Sequence, residues 1–390
     1  MTFIPYSRQH INEMDIDAVV QVLRSDLITQ GKVVPAFEQK VANYCGAKYA
    51  IAVSSATAGL QTACAALGAD KNSRIWTSPN SFVASANAGR YLGSAIDFVD
   101  IEQSTGNISL AKLKKKLEQA EQKKLLPDIL IVVHFAGRGC DMENIASLCR
   151  PYGIKIIEDA AHALGAEEFQ GNTKIGCCQH SDVTVFSFHP VKPVTTGEGG
   201  MLVTNDATIA DFAQSYRSHG ITRDANKIDD LNDSHGAWYY EQQMLGYHFR
   251  LTDIQAALGL SQMDRLDEFI ARRRAVAGRY NHLLKDFPVI LPPLSDKSGW
   301  HLYVIQIDNT RTTTTRKQVF DYLRKNNIGV NVHYIPIHTQ PYYQELGFGW
   351  GDFPDAESYY SVVLSLPVFP ELTEAEQLYV VQMLQEALDA

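Results

Sequence analysis

Two polar residues follow short apolar runs of the kind that form buried strands. Asp159 ends the run that begins at residue 154, and Lys192 lies between the run 183–188 and a glycine-rich turn at 195–200. In a parallel sheet the side chains at the carboxyl ends of strands face the ligand crevice. Lysine can form a Schiff base with an aldehyde, and a carboxylate can keep a pyridine nitrogen protonated. Taken singly, Asp159 could equally cap a helix and Lys192 could be an exposed surface residue.

A third segment, residues 54–59 with the sequence Ser-Ser-Ala-Thr-Ala-Gly, lies between a predicted strand and a predicted helix. Small residues allow a phosphate to approach the backbone, and a helix N-terminus offers free N–H groups and a favourable dipole. Many strand-to-helix turns share this composition, so the segment alone is a weak signal. No G-x-G-x-x-G or G-x-x-x-x-G-K-[ST] motif occurs, which removes the usual support for nicotinamide and P-loop nucleotide binding.

Composition excludes several classes of protein. The chain has 390 residues, 45% of them hydrophobic, and a net charge of −9, which is typical of a globular protein and disfavours nucleic-acid binding. The apolar run 129–136 is far shorter than the roughly 20 residues of a membrane helix, and residues 1–10 lack a secretory layout, so we expect a cytoplasmic protein. Six cysteines without paired or metal-like spacing predict free thiols and no metal site. The lysine-rich segment 112–124 predicts the solvated face of a helix.

Apolar runs alternate with helical patterns, which predicts an α/β fold with a mostly parallel sheet. The predicted strands cover residues 50–53, 74–77, 95–99, 129–134, 154–158, 183–188 and 201–204, and a helix is predicted at 57–67. From residue 253 the pattern changes to a long helix (253–286), a strand (301–307), a helix (315–326) and an extended stretch (330–335). Thr373 and Glu376 form a capping-box signature that opens a final helix. We therefore predict a large domain at 1–252 and a smaller C-terminal α+β domain at 253–390.

Four linked motifs give the chain a family resemblance. Residues 54–59, 158–163, 187–200 and 246–257 together resemble the sugar-nucleotide aminotransferases of the DegT/DnrJ/EryC1/StrS type, and the match runs from Tyr6 to the last helix. The resemblance implies the pyridoxal-5′-phosphate (PLP) transferase fold type I, with a seven-stranded, mostly parallel sheet between helices. Residues 188–200 and 331–336 most resemble the aminotransferases of the pseudaminic acid pathway. Those enzymes use L-glutamate to aminate a UDP-linked 2-acetamido-2,6-dideoxy-4-keto sugar, giving UDP-4-amino-4,6-dideoxy-N-acetyl-β-L-altrosamine.

The resemblance also implies a role for individual residues. Lys192 would bond to PLP as a Schiff base and later move a proton between the cofactor and sugar C4, and Asp159 would pair with the ring nitrogen. His162 would lie near the ring hydroxyl and Phe82 would stack on the ring face. The implied phosphate contacts are Ser187 and the backbone at Ala56, Thr57 and Ala58. The candidates for substrate contacts are Tyr6, Gln30, Arg250 and His338.

One departure from the family pattern concerns the neighbouring subunit. The family usually has Asn where this chain has His248, and that residue reaches the phosphate of the partner subunit's cofactor. The resemblance therefore implies a homodimer with shared active sites, and the substitution leaves the phosphate contact itself open.

Three other functions compete with this interpretation. A PLP-dependent sugar dehydratase of the same family would carry histidine in place of Lys192, and a non-catalytic PLP-binding regulator would have lost Lys192, Asp159 or the glycine turn. The third alternative is an aminotransferase for another UDP- or dTDP-linked 4-keto sugar, such as the UDP-4-keto-pentose used in lipid A modification. Such an enzyme shares much of the amino-acid sequence of segments 54–59 and 159–163.

Overall fold

The seven strands predicted for the N-terminal part form one sheet. The computed structural model describes residues 2–228 and 236–389. Each strand begins and ends within a residue or two of its predicted position. The strands are β1 (Tyr49–Val53), β2 (Arg74–Thr77), β3 (Ala95–Phe98), β4 (Ile129–Val133), β5 (Lys155–Asp159), β6 (Val183–Ser187) and β7 (Gly200–Thr204).

The sheet is mostly parallel, as predicted. Its strand order is β1-β7-β6-β5-β4-β2-β3, and β7 runs antiparallel to both β1 and β6. The other neighbouring strands are parallel. All residues of β4, β6 and β7 are buried, because helices cover both faces of the sheet. The carboxyl ends of β5 and β6 therefore lie side by side at one edge.

Helices surround this sheet. Those of the N-terminal part are α1 (Glu13–Leu23), α2 (Val33–Cys45), α3 (Ala56–Ala66), α4 (Ala84–Arg90), α5 (Leu110–Lys123), α6 (Met142–Cys149) and α7 (Ala207–Tyr216). Helix α3 begins where the Ser55 hydroxyl accepts a hydrogen bond from the Ala58 N–H. A short hairpin follows α7, formed by β8 (Ile221–Thr222) and β9 (Glu241–Gln242).

The lysine-rich helix α5 is only partly a solvated face. Lys112 forms an ion pair of 2.7 Å with Asp100, and Lys116 forms one of 2.7 Å with Asp97. The Lys116 ammonium also lies 4.8 Å from the centre of the Trp76 ring. The prediction was wrong for these two lysines, because α5 packs beside acidic residues that follow β3 or belong to it.

The C-terminal part is a smaller α+β arrangement. Its elements are α8 (Asp253–Met263), α9 (Leu266–Leu283), β10 (Val289–Ile290), β11 (Tyr303–Ile307), α10 (Arg316–Lys325), α11 (Pro341–Gln344), α12 (Pro354–Val362), β12 (Val363–Leu366) and α13 (Glu374–Asp389). The predicted helix 253–286 is in fact two helices, α8 and α9. The predicted extended stretch 330–335 forms no strand and pairs only through a bridge between Asn331 and Ser365. The capping box of Thr373 and Glu376 is present, as predicted.

Helix α8 packs against the N-terminal helices. The Asp253 carboxylate at its start accepts hydrogen bonds from the N–H groups of Gly31, Val33 and Val34, at 2.6, 2.8 and 2.9 Å. The second half of α9 instead joins a hydrophobic cluster with β11, α10 and α13, which also includes Ile4. The domain boundary at residue 252 stays a prediction.

Three further features concern the cysteines, membrane-spanning helices and groups that could bind a metal. All six cysteines are free thiols. Among residues 2–228 and 236–389, no helix is long and apolar enough to cross a membrane, and no group of three or more His, Cys, Asp or Glu side chains could hold a metal ion.

Candidate active site

A cavity of about 480 Å³ lies at the carboxyl edge of the sheet. The large sheet-bearing part contributes most of its wall, and the segment 331–334 covers it from the C-terminal part. Eight of the residues predicted for the site line this cavity: Tyr6, Ala56, Thr57, Phe82, Asp159, His162, Ser187 and Lys192.

Asp159 is the last residue of β5 and its carboxylate is almost completely buried. Its Oδ2 accepts a hydrogen bond of 2.6 Å from the Ser85 hydroxyl, and its Oδ1 accepts one of 3.2 Å from the Ala161 N–H. Burial raises the pKa of Asp159, while these two hydrogen bonds and the charge of Lys192 oppose the rise. The carboxylate is thus a fixed acceptor that a buried cation would stabilise.

Lys192 lies in the loop after β6, where its N–H donates to the His189 carbonyl at 2.9 Å. The Lys192 Nζ is 3.4 Å from His301 Nε2. Burial lowers the pKa of the Lys192 amine to about 8, against a rise caused by Asp159 and with a further decrease caused by Arg273. A buried amine with this pKa is neutral often enough near pH 8 to act as a nucleophile or a base.

His162 is held in one tautomer. Its Nδ1 accepts a hydrogen bond of 3.2 Å from the Ala136 N–H, so the ring proton resides on Nε2. Nε2 is 3.1 Å from the Tyr334 hydroxyl, to which it donates. Burial lowers the pKa of His162 well below its usual range, so the ring is neutral. His162 therefore presents a fixed, uncharged face to the cavity.

The part of the cavity formed by the start of α3 and the end of β6 suits an anion. Ala56 and Thr57 belong to the first turn of α3, where N–H groups have no preceding helical carbonyl. Ser187 ends β6 at the same edge. Gly200 starts β7, and a Cβ atom there would lie 2.6 Å from the Ala56 nitrogen, so only glycine allows β7 to pass this close to the helix terminus. The strand thus supports a phosphate-sized site at the N-terminus of α3.

Phe82 offers a flat apolar surface at the cavity. It precedes α4 and is 60% exposed although it lines the cavity, which is unusual for a phenylalanine. The loop that carries it is fixed by Asn80, whose Nδ2 donates to the Gly106 carbonyl and whose Oδ1 accepts from the Tyr334 N–H. An aromatic ring held in this way can stack on a planar ligand.

These groups fit PLP part by part. The buried carboxylate of Asp159 suits the pyridine nitrogen, the N-terminus of α3 with Ser187 suits the phosphate, and the Lys192 amine suits the aldehyde. The fit rests on the chemistry and placement of groups that converge on one cavity from β5, β6 and α3.

Five predicted site residues do not line the cavity. Ala58 is buried in α3, and Gln30 is exposed in the loop before α2. Arg250 is half-buried, and His248 is exposed with its ring 5.5 Å from that of His219. His338, interpreted from the sequence as a surface residue, is instead fully buried, and its Nε2 lies 2.9 Å from Oε1 of Glu357.

The sequence interpretation missed several groups at the site. Ser85 bonds to Asp159, and His301 contacts Lys192. Neither residue lies directly after the end of a predicted strand of the large sheet. His333 and Tyr334 belong to the segment 331–336, which contributed to the family resemblance without a predicted role, and both line the cavity. The motif at 331–336 was a usable signal for the last two, whereas nothing local marks Ser85.

Comparison with known proteins identifies the family. The model of the DegT/DnrJ/EryC1/StrS aminotransferase family matches residues 9–385. The chain is 38% identical over 378 residues to the spore coat polysaccharide biosynthesis protein SpsC of Bacillus subtilis, covering 95% of this chain and 94% of that one. It is 33% identical over 389 residues to a UDP-4-amino-4,6-dideoxy-N-acetyl-beta-L-altrosamine transaminase of Campylobacter jejuni, covering 99% and 98%.

Solved structures agree with this assignment. PseC of Helicobacter pylori, an aminotransferase involved in the biosynthesis of pseudoaminic acid, superposes with a TM-score of 0.87 at 32% identity over 100% of both chains. The PLP-form of a putative sugar aminotransferase from Streptococcus pneumoniae gives a TM-score of 0.88 at 25% identity over 99% of both chains. The chain belongs to the DegT/DnrJ/EryC1/StrS aminotransferase family, and it is a PLP-dependent sugar aminotransferase.

Proposed function

We propose that this aminotransferase moves the amino group of L-glutamate to C4 of a UDP-linked 2-acetamido-2,6-dideoxy-4-keto-hexose. The product would be UDP-4-amino-4,6-dideoxy-N-acetyl-β-L-altrosamine, the intermediate of pseudaminic acid biosynthesis. The observation that carries the reaction class is the single cavity shared by the Lys192 amine, the Asp159 carboxylate and the N-terminus of α3. The relatives with this product in their names, at 33% and 34% identity over nearly the whole chain, support the substrate.

The roles of the side chains follow from their chemistry. When bound, PLP supplies an aldehyde that condenses with amines and a protonated ring that accepts electron density. Lys192 holds the mobile proton at Nζ and moves it, because its lowered pKa of about 8 lets the amine alternate between base and acid. Asp159 would keep the ring nitrogen positive, Phe82 would stack on the ring face, and His162 would lie near the ring hydroxyl.

The cavity residues contributed by the N-terminal segment and by the segment 331–334 suit an uncharged sugar. Tyr6, Asn331, His333 and Tyr334 bring hydroxyl, amide and imidazole groups to the cavity. Burial lowers the pKa of His333 to about 3, so this ring is neutral under ordinary conditions. Its Nδ1 lies 2.7 Å from the Ser365 hydroxyl, which holds the ring in place. Neutral donors and acceptors of this kind match sugar hydroxyl and acetamido groups.

Three other predicted substrate contacts, Gln30, Arg250 and His338, do not line the cavity. Gln30 and Arg250 stay proposals, because both lie outside the cavity of one chain. His338 is buried and bonded to Glu357, so its side chain is not accessible to the substrate.

We also propose a homodimer in which His248 approaches the phosphate of the partner subunit's cofactor. His248 is exposed, and the segment that carries it crosses the start of α3, where the Ser54 N–H donates to the Phe249 carbonyl at 2.7 Å. Trp238 and Leu245 nearby in sequence are 77% and 82% exposed, which is typical of side chains that a partner covers. A cytoplasmic location stays a prediction.

A second candidate substrate is another UDP- or dTDP-linked 4-keto sugar, such as a UDP-4-keto-pentose. What supports this alternative is that a relative of higher identity, 38% against 33%, is named for spore coat polysaccharide biosynthesis and not for the altrosamine product. The two candidates share the keto group at C4 and differ in the substituents at C2 and C5.

The deciding experiment is an amination assay with L-glutamate against a panel of UDP- and dTDP-linked 4-keto sugars. We expect the highest kcat/KM with the 2-acetamido-2,6-dideoxy-4-keto-hexose, and NMR of the product should show the altrosamine configuration. A Lys192→Ala variant is the control for non-enzymatic amination. If the enzyme prefers a pentose, or if the product has another configuration, the proposed substrate is wrong. Absence of amination with the whole panel would contradict the reaction class.

A further inference from the structure

The segment that carries His301 is fastened to the large sheet-bearing part. The Gly299 N–H and the Ser298 hydroxyl both donate to the Gly137 carbonyl, at 2.9 and 3.1 Å. A Cβ atom on Gly137 would lie 3.0 Å from the nitrogen of Trp300 and 3.1 Å from that of His301, and its φ of 90° also requires glycine. The backbone contacts with Gly137 therefore fix the position of His301.

Arg273 fixes the same segment from α9. Its buried Nη1 donates to the carbonyls of Trp300, His301 and Val368, at 3.5, 3.4 and 3.0 Å. These bonds hold the backbone of His301 independently of its ring. A change of the ring alone can therefore be made without removing the contacts that place the segment.

The His301 ring has one polar partner in the part of the chain that the structure describes. The residue is 2% exposed, its Nε2 lies 3.4 Å from Lys192 Nζ, and its Nδ1 has no hydrogen-bond partner among the described residues. The ring packs 4.4 Å from that of His162. When Lys192 is protonated its ammonium group can only donate, so Nε2 of the neutral His301 ring is the acceptor of that bond.

The acceptor beside the Lys192 amine is the His301 ring, which is uncharged. Burial and the positive charges of Lys192 and Arg273 lower the pKa of His301 well below its usual range, and neighbouring His162 and His333 act in the same direction. The groups that face Lys192 are the Asp159 carboxylate, the Arg273 guanidinium and the neutral rings of these three histidines. An imidazole can hold the amine in place without the strong preference for the ammonium form that a second carboxylate would impose.

We propose that His301 is a positioning residue, which accepts a hydrogen bond from the free Lys192 Nζ and holds this amine at the cavity wall whenever it is not bonded to the cofactor. The proposal rests on the proposed role of Lys192 and adds a residue from the C-terminal part to it. The expected consequence is a faster encounter between the amine and the PLP aldehyde, with no effect on how tightly the cavity holds a cofactor that cannot bond to the amine.

The test uses apo-enzyme and two cofactor forms. His301→Leu removes the acceptor, His301→Asn keeps a polar group that is too short to reach Nζ, and His301→Gln restores an acceptor near the position of Nε2. Each is compared with wild type and with His282→Gln, which makes the same chemical change on the exposed side of α9. Capture of PLP is measured as the rate at which Lys192 forms a bond to PLP that borohydride reduces to a stable amine. Affinity for pyridoxamine phosphate, which forms no such link, is measured by fluorescence.

We expect His301→Leu and His301→Asn to capture PLP about fivefold more slowly, which corresponds to one ordinary hydrogen bond, and His301→Gln to recover most of the rate. Affinity for pyridoxamine phosphate should stay unchanged in every variant. Capture at the wild-type rate in folded His301→Leu or His301→Asn would overturn the proposal, as would an equal loss in His301→Gln or a parallel loss of pyridoxamine phosphate affinity. If wild type forms no link at Lys192, the role of Lys192 itself fails, which is a different result.

Discussion

The Ser85 hydroxyl donates a hydrogen bond of 2.6 Å to Oδ2 of Asp159, and both residues are buried. Ser81 lies 2.7 Å from the Ser85 hydroxyl and extends the chain of hydroxyl groups towards the cavity. This arrangement orients the carboxylate and favours its ionised form, because a hydrogen bond to a carboxylate lowers its pKa. Ser85 thus supports the group proposed to keep the ring of PLP charged.

Ser85→Ala should slow the glutamate half-reaction about fivefold, because Asp159 loses one hydrogen bond that favours its charged form. The rate is measured by the change in cofactor absorbance after glutamate is mixed with the PLP enzyme. Ser361→Ala is the matched control, since the Ser361 hydroxyl donates to the Ser358 carbonyl at the exposed end of α12. An unchanged rate in Ser85→Ala would mean that Asp159 needs no support from this hydroxyl.

Asp159→Asn should still take up PLP but turn over more slowly, by on the order of 10²-fold, because a neutral amide no longer stabilises a positive ring nitrogen. The measurement is kcat for amination together with the cofactor content of the purified variant. A variant with full cofactor and nearly normal kcat would show that ring charge does not limit the reaction.

The rate of PLP capture by apo-enzyme should depend on pH with a midpoint near 8. Burial lowers the pKa of Lys192 to about 8 from 10.5, so the amine is mostly protonated and unreactive below pH 8 and mostly neutral above it. Capture should therefore fall as pH decreases below 8 and level off above it. Free Nα-acetyl-lysine, measured in parallel and corrected for the neutral fraction of its own amine, accounts for the titration of PLP itself. A corrected rate that keeps rising to pH 10 would mean that Lys192 behaves as an ordinary exposed lysine.

The proposed sharing of sites can be tested with hybrid dimers. If His248→Ala is inactive, mixing it with Lys192→Ala should restore activity, because one site of the hybrid combines a native Lys192 with the partner's native His248. Mixing Lys192→Ala with Asp159→Asn is the control and should restore none, since each site would keep one defect. Equal results from both mixtures, after subunit exchange is verified by mass spectrometry, would argue that each site is built within one chain.

The strands were predictable because their signal is local. Short runs such as 129–133 are apolar on both faces, as strands covered by helices must be, and turns separate them from helical patterns. The rule that ligands meet the carboxyl ends of parallel strands then placed Asp159 and Lys192 at one edge, and the family resemblance added Ser187. The structure brings all three to the same cavity.

The remaining part of the site depends on tertiary contacts. His301 reaches Lys192 only because Gly137 and Arg273 fasten its segment, and these residues lie far apart in the sequence. The stretch at 330–335 has the composition of a strand, yet it crosses the cavity and pairs through a single bridge. His338 was interpreted as exposed because the sequence does not show that Glu357 and the Phe353 ring would enclose it. In each case the deciding partner comes from another element.

The most direct test of the account is to find the residue that bonds to PLP. The purified enzyme is reduced with borohydride, digested, and the labelled peptide is sequenced by mass spectrometry, with Lys192→Ala treated in the same way. We predict a single pyridoxyl label on Lys192, its absence in the variant, and a loss of amination in the variant of at least about 10²-fold. A label on any other lysine, or an active Lys192→Ala enzyme, would contradict the central claim that Lys192 carries the cofactor and moves the proton.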